Sequence, residues 1–148
     1  MAVVGFTKLQ EIFRKSASLD IHKGHAKEVT DIVEQKLYDM LTIAQKNAKY
    51  NGRDVIWVAD MPITKGFEET VEIFKKLESE IDAKDVAQML TFYPPVLALE
   101  TELEERLPEI AGALLVTLAK TMKAIDPADR AVDHELISKA HKVLNITM

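Results

Sequence analysis

Apolar residues recur with a helical period along almost the whole chain. Leu9, Ile12 and Phe13 fall at i, i+3 and i+4, predicting a short amphipathic helix that begins near Thr7, a candidate N-cap, and ends around Ala17. Ser18 to Gly24 lacks that period and contains a glycine, so it reads as a loop. Val29, Ile32, Val33, Leu37, Met40, Leu41, Ala44 and Ala48 then return at steps of three and four. Lys27, Glu28, Asp31, Glu34, Lys36, Asp39, Lys46 and Lys49 lie between them as the wet face. The pattern predicts a helix of about 25 residues. Asn51-Gly52 stops it, because glycine suits the left-handed position after a helix end. Val55-Ile56-Trp57-Val58 is β-branched and aromatic and too short for a helix, so it reads as extended.

A short helix completes this order, which occurs again after an inserted helix at roughly 67–80. Asp60-Met61-Pro62 reads as a helix start with proline in the first turn. Phe67, Val71, Phe74 and Leu77 predict an extra helix near 67–80, and Asp82 caps a short helix carrying Val86, Met89 and Leu90 that ends at Pro94-Pro95. From Leu97 a long stripe follows through Leu99, Leu103, Leu107, Ile110, Leu114, Leu118, Met122 and Ile125; Pro108 means that it either kinks or starts afresh. Ile110 to Ala119 is apolar nearly all round and should be the most buried element. Asp126-Pro127 ends the stripe, Ala131-Val132 connects, and Asp133 caps a last helix with Leu136, Ile137, Ala140, Val143 and Leu144 inward. A long helix between two short ones cannot bury its apolar face alone and needs a second copy packed on it. The expected fold is therefore all-α, with one unit in residues 1–80, including the extra helix, and a second in 81–148.

Composition narrows the chemistry. The 148 residues carry 19 Lys and Arg against 24 Asp and Glu, a formal charge of −5, with no cysteine. That excludes a disulfide scaffold, thiolate zinc sites and cysteine nucleophiles, and fits a reducing, cytoplasmic setting. No apolar run approaches the ~18 residues of a membrane helix, and the start of the chain lacks a signal-like core. Residues 1–53 hold 9 basic and 6 acidic side chains, residues 54–109 hold 5 and 14, and residues 110–148 hold 5 and 4. Only the first third can supply the basic surface that a nucleic-acid partner needs. No Gly-rich phosphate loop, nucleophile elbow or His-Glu-x-x-His occurs, so a non-enzymatic protein without cofactor or small-molecule substrate is expected. His22, His25, His134 and His141 lack a further ligand of clear spacing, and no metal is expected. Glu68, Glu69, Glu72, Glu100, Glu102, Glu104, Glu105 and Glu109 read as solvated helix faces, Trp57 as packing between the halves, and Met40, Met61, Met89 and Met122 as core filler.

The segment Asn51-Gly52-Arg53-Asp54-Val55-Ile56-Trp57-Val58-Ala59-Asp60, with Arg53 and Asp60 seven apart and Asp20-Ile21 upstream, resembles the histone fold, most closely archaeal-type minimal histones, from about Leu9 to about Ile63. The whole chain resembles bacterial proteins that carry two histone folds in tandem. The resemblance implies an intramolecular pseudo-dimer and a structural Arg53–Asp60 clamp. In the second half Ala131-Val132 suits the bridging strand. Aligning on Val132, however, places Asp129 at the Arg position and Leu136 at the Asp position, so the clamp is absent. If the halves clasp as histones do, His22 or His25 approaches His134. Histones hold DNA, and Arg14, Lys15, Lys23, Lys27, Lys46 and Lys49 are the candidate contacts. Three positions that are basic in such histones fall on Glu11, Asp20 and Asp54, where carboxylates repel phosphate. The expected function is a protein-interaction or assembly module, partnered by another protein or by itself, with weak or no DNA binding. The alternative is a nucleoid-associated DNA-binding protein that uses the basic N-terminal third.

Overall fold

The long first helix ends where glycine permits it. Gly52 has φ 71°, its N–H bonds the Lys49 carbonyl at 3.0 Å, and the Arg53 N–H bonds the Ala48 carbonyl at 2.9 Å. This pair of bonds closes the helix and fixes the direction in which Arg53 leaves it. In the computed structural model, which describes residues 5–77 and 97–148, the elements are α1 (Phe6–Ala17), α2 (Lys23–Tyr50), β1 (Val55–Ile56), a 3-10 turn (Val58–Asp60), α3 (Lys65–Lys76), β2 (Ala98–Leu99), α4 (Thr101–Ile125) and α5 (His134–Thr147). Among the described residues the chain is all-α apart from two short strands, and no described helix is long and apolar enough to cross a membrane.

Several element boundaries differ from those expected. The Leu9 N–H reaches the Gly5 carbonyl at 3.1 Å, so α1 begins at Phe6, ahead of Thr7. Helix α2 begins at Lys23; Lys23 and Gly24 are exposed and carry no apolar signal, yet they belong to the helix and not to the loop. No α-helix starts at Asp60. The chain makes a 3-10 turn, runs extended through Met61, and enters α3 after Thr64, whose hydroxyl accepts from the Phe67 N–H at 3.2 Å. The stripe from Phe67 to Leu77 is therefore α3 itself. The short helix expected after Asp82 lies outside the described residues. Helix α4 starts at Thr101, four residues after Leu97, because Ala98 and Leu99 pair with β1. Pro108 lies inside α4 without ending it. Ser18, at φ 53°, closes α1 in the left-handed region where glycine is the usual occupant.

Helix α4 is the hub, packing against α1, α2, α3 and α5. From Ile110 to Ala119 only Thr117 is not fully buried. Gly112 has no room for a side chain, because the Phe74 ring of α3 occupies the place where a Cβ would stand. Two parallel pairings join the halves reciprocally. Asp20, in the loop between α1 and α2, bridges Ala131, in the loop between α4 and α5. Val55 and Ile56, after α2, pair with Ala98 and Leu99, before α4.

Candidate functional site

The two pairings make two ends, and the one containing β1 is the more heavily tied. Arg53 donates to both Asp60 oxygens, at 2.6 and 2.7 Å. Asp60 is 3% exposed and also accepts from the Trp57 N–H at 2.7 Å, while the Asn47 amide donates to its carbonyl at 2.8 Å. The hydrogen bonds from Arg53 outweigh burial and hold the Asp60 carboxyl below the usual carboxylate range; the same bonds raise Arg53. The guanidinium carbon lies 3.9 Å from the centre of the Trp57 ring. Trp57 does not pack between the halves as expected. It is 45% exposed, because strand alternation turns Ile56 into the core and its neighbours Val55 and Trp57 outward. Across the pairing, Glu100 accepts from the Val58 N–H at 2.6 Å, and its own N–H bonds the Ile56 carbonyl at 2.9 Å.

The other end is built without an arginine clamp. The Asp20 N–H donates to the Arg130 carbonyl and the Val132 N–H to the Asp20 carbonyl, both at 2.8 Å. Asp129 shapes the loop through its own carboxylate, which accepts from the N–H groups of Arg130 at 2.9 Å and Ala131 at 3.3 Å. The Lys123 ammonium donates to the Asp129 carbonyl at 2.8 Å, and Leu136 is simply core. His25 does approach His134, but through Glu28, which composition and spacing did not single out. Glu28 accepts from His134 Nδ1 at 2.6 Å and from His25 Nδ1 at 3.3 Å. Burial pushes the Glu28 carboxyl up, but the hydrogen bonds from His134 and His25 together prevail and leave it below its ordinary value. The available signal was its position three residues after His25. His22 precedes α2 as its N-terminal flanking residue. No group of three such residues among those described has the geometry to hold a metal ion.

The candidate DNA-contacting residues are divided. Arg14 lies 3.2 Å from Asp20, Lys15 lies 2.9 Å from Glu11, and Lys27 lies 2.8 Å from Asp31. Lys23, Lys46 and Lys49 are exposed, and no ion pair joins them to a described residue. Lys23 and Lys49 stand at opposite ends of α2, roughly 39 Å apart at the helical rise. Asp54 is exposed beside the clamp. Several of the glutamates expected on wet faces pair locally: Glu69 with Lys65, Glu72 and Glu109 with Lys75, and Glu102 with Arg106. An open groove of about 630 Å³ runs between α3 and α4 over Met61, Ile63, Val71 and Ile110. Its rim holds the pairs of Lys65 with Glu69 and of Lys75 with Glu72 and Glu109, and no nucleophile–base arrangement among the described residues. Met40, Met61 and Met122 are buried; Met89 lies outside the described residues.

Comparison with known proteins extends the fold to a family. Residues 9–145 match the profile of a family described as a domain of unknown function, DUF1931. The chain is 30% identical over 120 residues to an Aquifex aeolicus strain VF5 protein described as uncharacterized, covering 80% of this chain and 70% of that one. A crystal structure of a Thermus thermophilus protein superposes with a TM-score of 0.95 at 37% identity, covering 99% of each chain. A crystal structure of an Aquifex aeolicus protein superposes with a TM-score of 0.82 at 26% identity, covering 99% of this chain and 97% of that one.

Proposed function

Because the chain belongs to the DUF1931 family, which is defined without an activity, we propose a function from geometry: a non-enzymatic, histone-like pseudo-dimer within one chain that serves as a protein-interaction or assembly module and makes little use of DNA. The pairing of Asp20, after α1, with Ala131, after α4, and of Val55–Ile56, after α2, with Ala98–Leu99, before α4, supports the histone-like reading. One observation carries the functional part. Four cations beside the paired loops are matched by carboxylates, Arg53 by Asp60, Arg14 by Asp20, Lys15 by Glu11 and Lys27 by Asp31, whereas Arg130 and Lys23 at the Asp20–Ala131 pairing have no such match among the described residues. A phosphate backbone would have to displace these internal anions, and each displaced pair subtracts from the counterion release that drives DNA binding. The alternative, a nucleoid-associated DNA-binding protein, draws on Lys23, Lys46 and Lys49, which face solvent without such a match among the described residues.

A salt titration on random-sequence duplex DNA separates the two. The wild type is expected to show no saturable micromolar binding at about 50 mM salt. Replacing Glu11, Asp20 and Asp54 together by Lys moves the formal charge from −5 to +1 and removes the carboxylates that pair with Lys15 and Arg14. That variant should acquire binding that falls steeply as salt is raised. Micromolar, salt-sensitive binding by the wild type would overturn the module reading in favour of the DNA-binding one. A triple variant that still ignores DNA would show that the acidic positions are not what withholds it.

A further inference from the structure

The two ends of the paired loops are fastened by different chemistry. At the β1–β2 end the side-chain fastenings include the Arg53–Asp60 pair, the Glu100 carboxylate on the Val58 N–H and the Gln45 amide oxygen on the Leu97 N–H. Asp60 sits below the usual carboxylate range and Arg53 above its ordinary value, so the pair keeps its charges through neutral pH. At the Asp20–Ala131 end Arg14 holds the Asp20 carboxylate within the first half, and His134 on Glu28 joins the halves, with His25 on the second oxygen of the same carboxylate. Histidine is the side chain whose charge ordinarily changes between about pH 5 and 8. We propose that Glu28, His25 and His134 form a protonation-dependent clasp that tightens the Asp20–Ala131 end below neutral pH and loosens it above, while the Val55–Ala98 end does not respond.

With both rings charged, the two oxygens of one carboxylate receive two ion-paired donors. With both rings neutral, each contact falls to a hydrogen bond from a neutral Nδ1–H, about half as strong. The Glu28 carboxyl, held below its ordinary value, remains ionised throughout this range, so the rings alone change the contact. The surrounding charges are fixed. On α2, Lys27 is paired with Asp31, with Lys23 one turn earlier. On α5, Asp133 caps the Leu136 N–H and Glu135 pairs with Lys139. In the preceding loop stand Asp126, Asp129 and Arg130, and on α4 Lys120 and Lys123, the latter on the Asp129 carbonyl. On α1, Gln10 is uncharged, and Glu11 and Arg14 are held by Lys15 and Asp20. Apart from His22, at the start of α2, these are residue types whose charge is constant between about pH 6 and 8. Because His134 is 78% exposed and Glu28 38%, the effect is that of a solvent-screened pair.

Hydrogen exchange followed by mass spectrometry, in the presence of EDTA and scaled for intrinsic rates, tests this on the full chain. From about pH 6 to about pH 8, protection of the segment from Asp129 to Ser138 should fall about two- to fivefold in the wild type. Protection from Gly52 to Asp60 should stay constant. In Glu28→Gln the pH response of the first segment should vanish; His134→Asn, at an exposed position, should abolish it equally and stands in if Glu28→Gln fails to fold. A wild type without pH response, or a response that survives in the folded variants, overturns the proposal. So does a response that appears only when zinc replaces EDTA, since that would assign the three side chains to a metal.

Discussion

Arg53 places its guanidinium between Asp60 and the Trp57 ring, with a further long contact to the Val55 carbonyl at 3.4 Å, and retains 21% side-chain exposure. An arginine so placed organises its own loop before it can serve a ligand. Replacing Asp60 by Ala strips the acceptor from the guanidinium and from the Trp57 N–H together. The expected loss is about 2 kcal/mol of unfolding free energy near neutral pH, read from urea denaturation; an unchanged midpoint would refute the clamp. The pH dependence follows from the lowered carboxyl. The stabilisation is fully present above the unfolded value, about pH 4, and is lost as pH falls through the lower folded value. Wild type and Asp60→Ala should therefore converge in acid. At this scale the sequence was legible where spacing encodes a partner, as in the seven-residue step from Arg53 to Asp60. It was silent where strand parity decides, which is why Trp57 looked like core. It was also silent where partners lie 106 residues apart, as do Glu28 and His134.

Helix α4 shows what a single missing side chain does for a whole element. Glycine inside a helix ordinarily costs about 1 kcal/mol relative to alanine. Propensity alone therefore predicts that Gly112→Ala stabilises. The Phe74 ring fills the site of the new methyl, so the variant must shift α3 or rotate a core ring. We expect a net destabilisation of about 1–3 kcal/mol, measured by chemical denaturation. In a double-mutant cycle with Phe74→Leu the two losses should fall short of additive; a stabilised Gly112→Ala would mean that the ring does not seat there. The central placement of α4 was readable from the apolar run between Ile110 and Ala119. Gly112 was not, because one glycine leaves an apolar run unbroken, and only the helix penalty it accepts hints at a close neighbour. The start of α3 was misread for a related reason. Pro62 can open a helix, but Thr64 offers a hydroxyl that caps the Phe67 N–H, and the chain uses the later signal.

The whole molecule is interdependent in a way that neither half displays alone. Helices α1 and α3 belong to the first half by sequence, yet both lie against α4. Leu9, Ile12 and Phe13, all fully buried, and Phe74, 4% exposed, belong to one core cluster with α4. A polypeptide of residues 1–80 would leave these faces in water, at about 25 cal/mol for each Å² of apolar surface. It would also lose the partner strands for Val55 and Asp20. Such a fragment should not unfold cooperatively as a monomer. Circular dichroism should show reduced helix at low concentration, with helix regained only as sedimentation shows association, each copy then taking for the other the place of α4. The intact chain avoids that concentration dependence by carrying both halves on one backbone, which turns a bimolecular association into loop closure. A fragment that stays monomeric and melts in one cooperative transition would place the core within the first half. It would remove the physical reason for reading the chain as a fused pair, and with it the basis for looking at the paired loops for function.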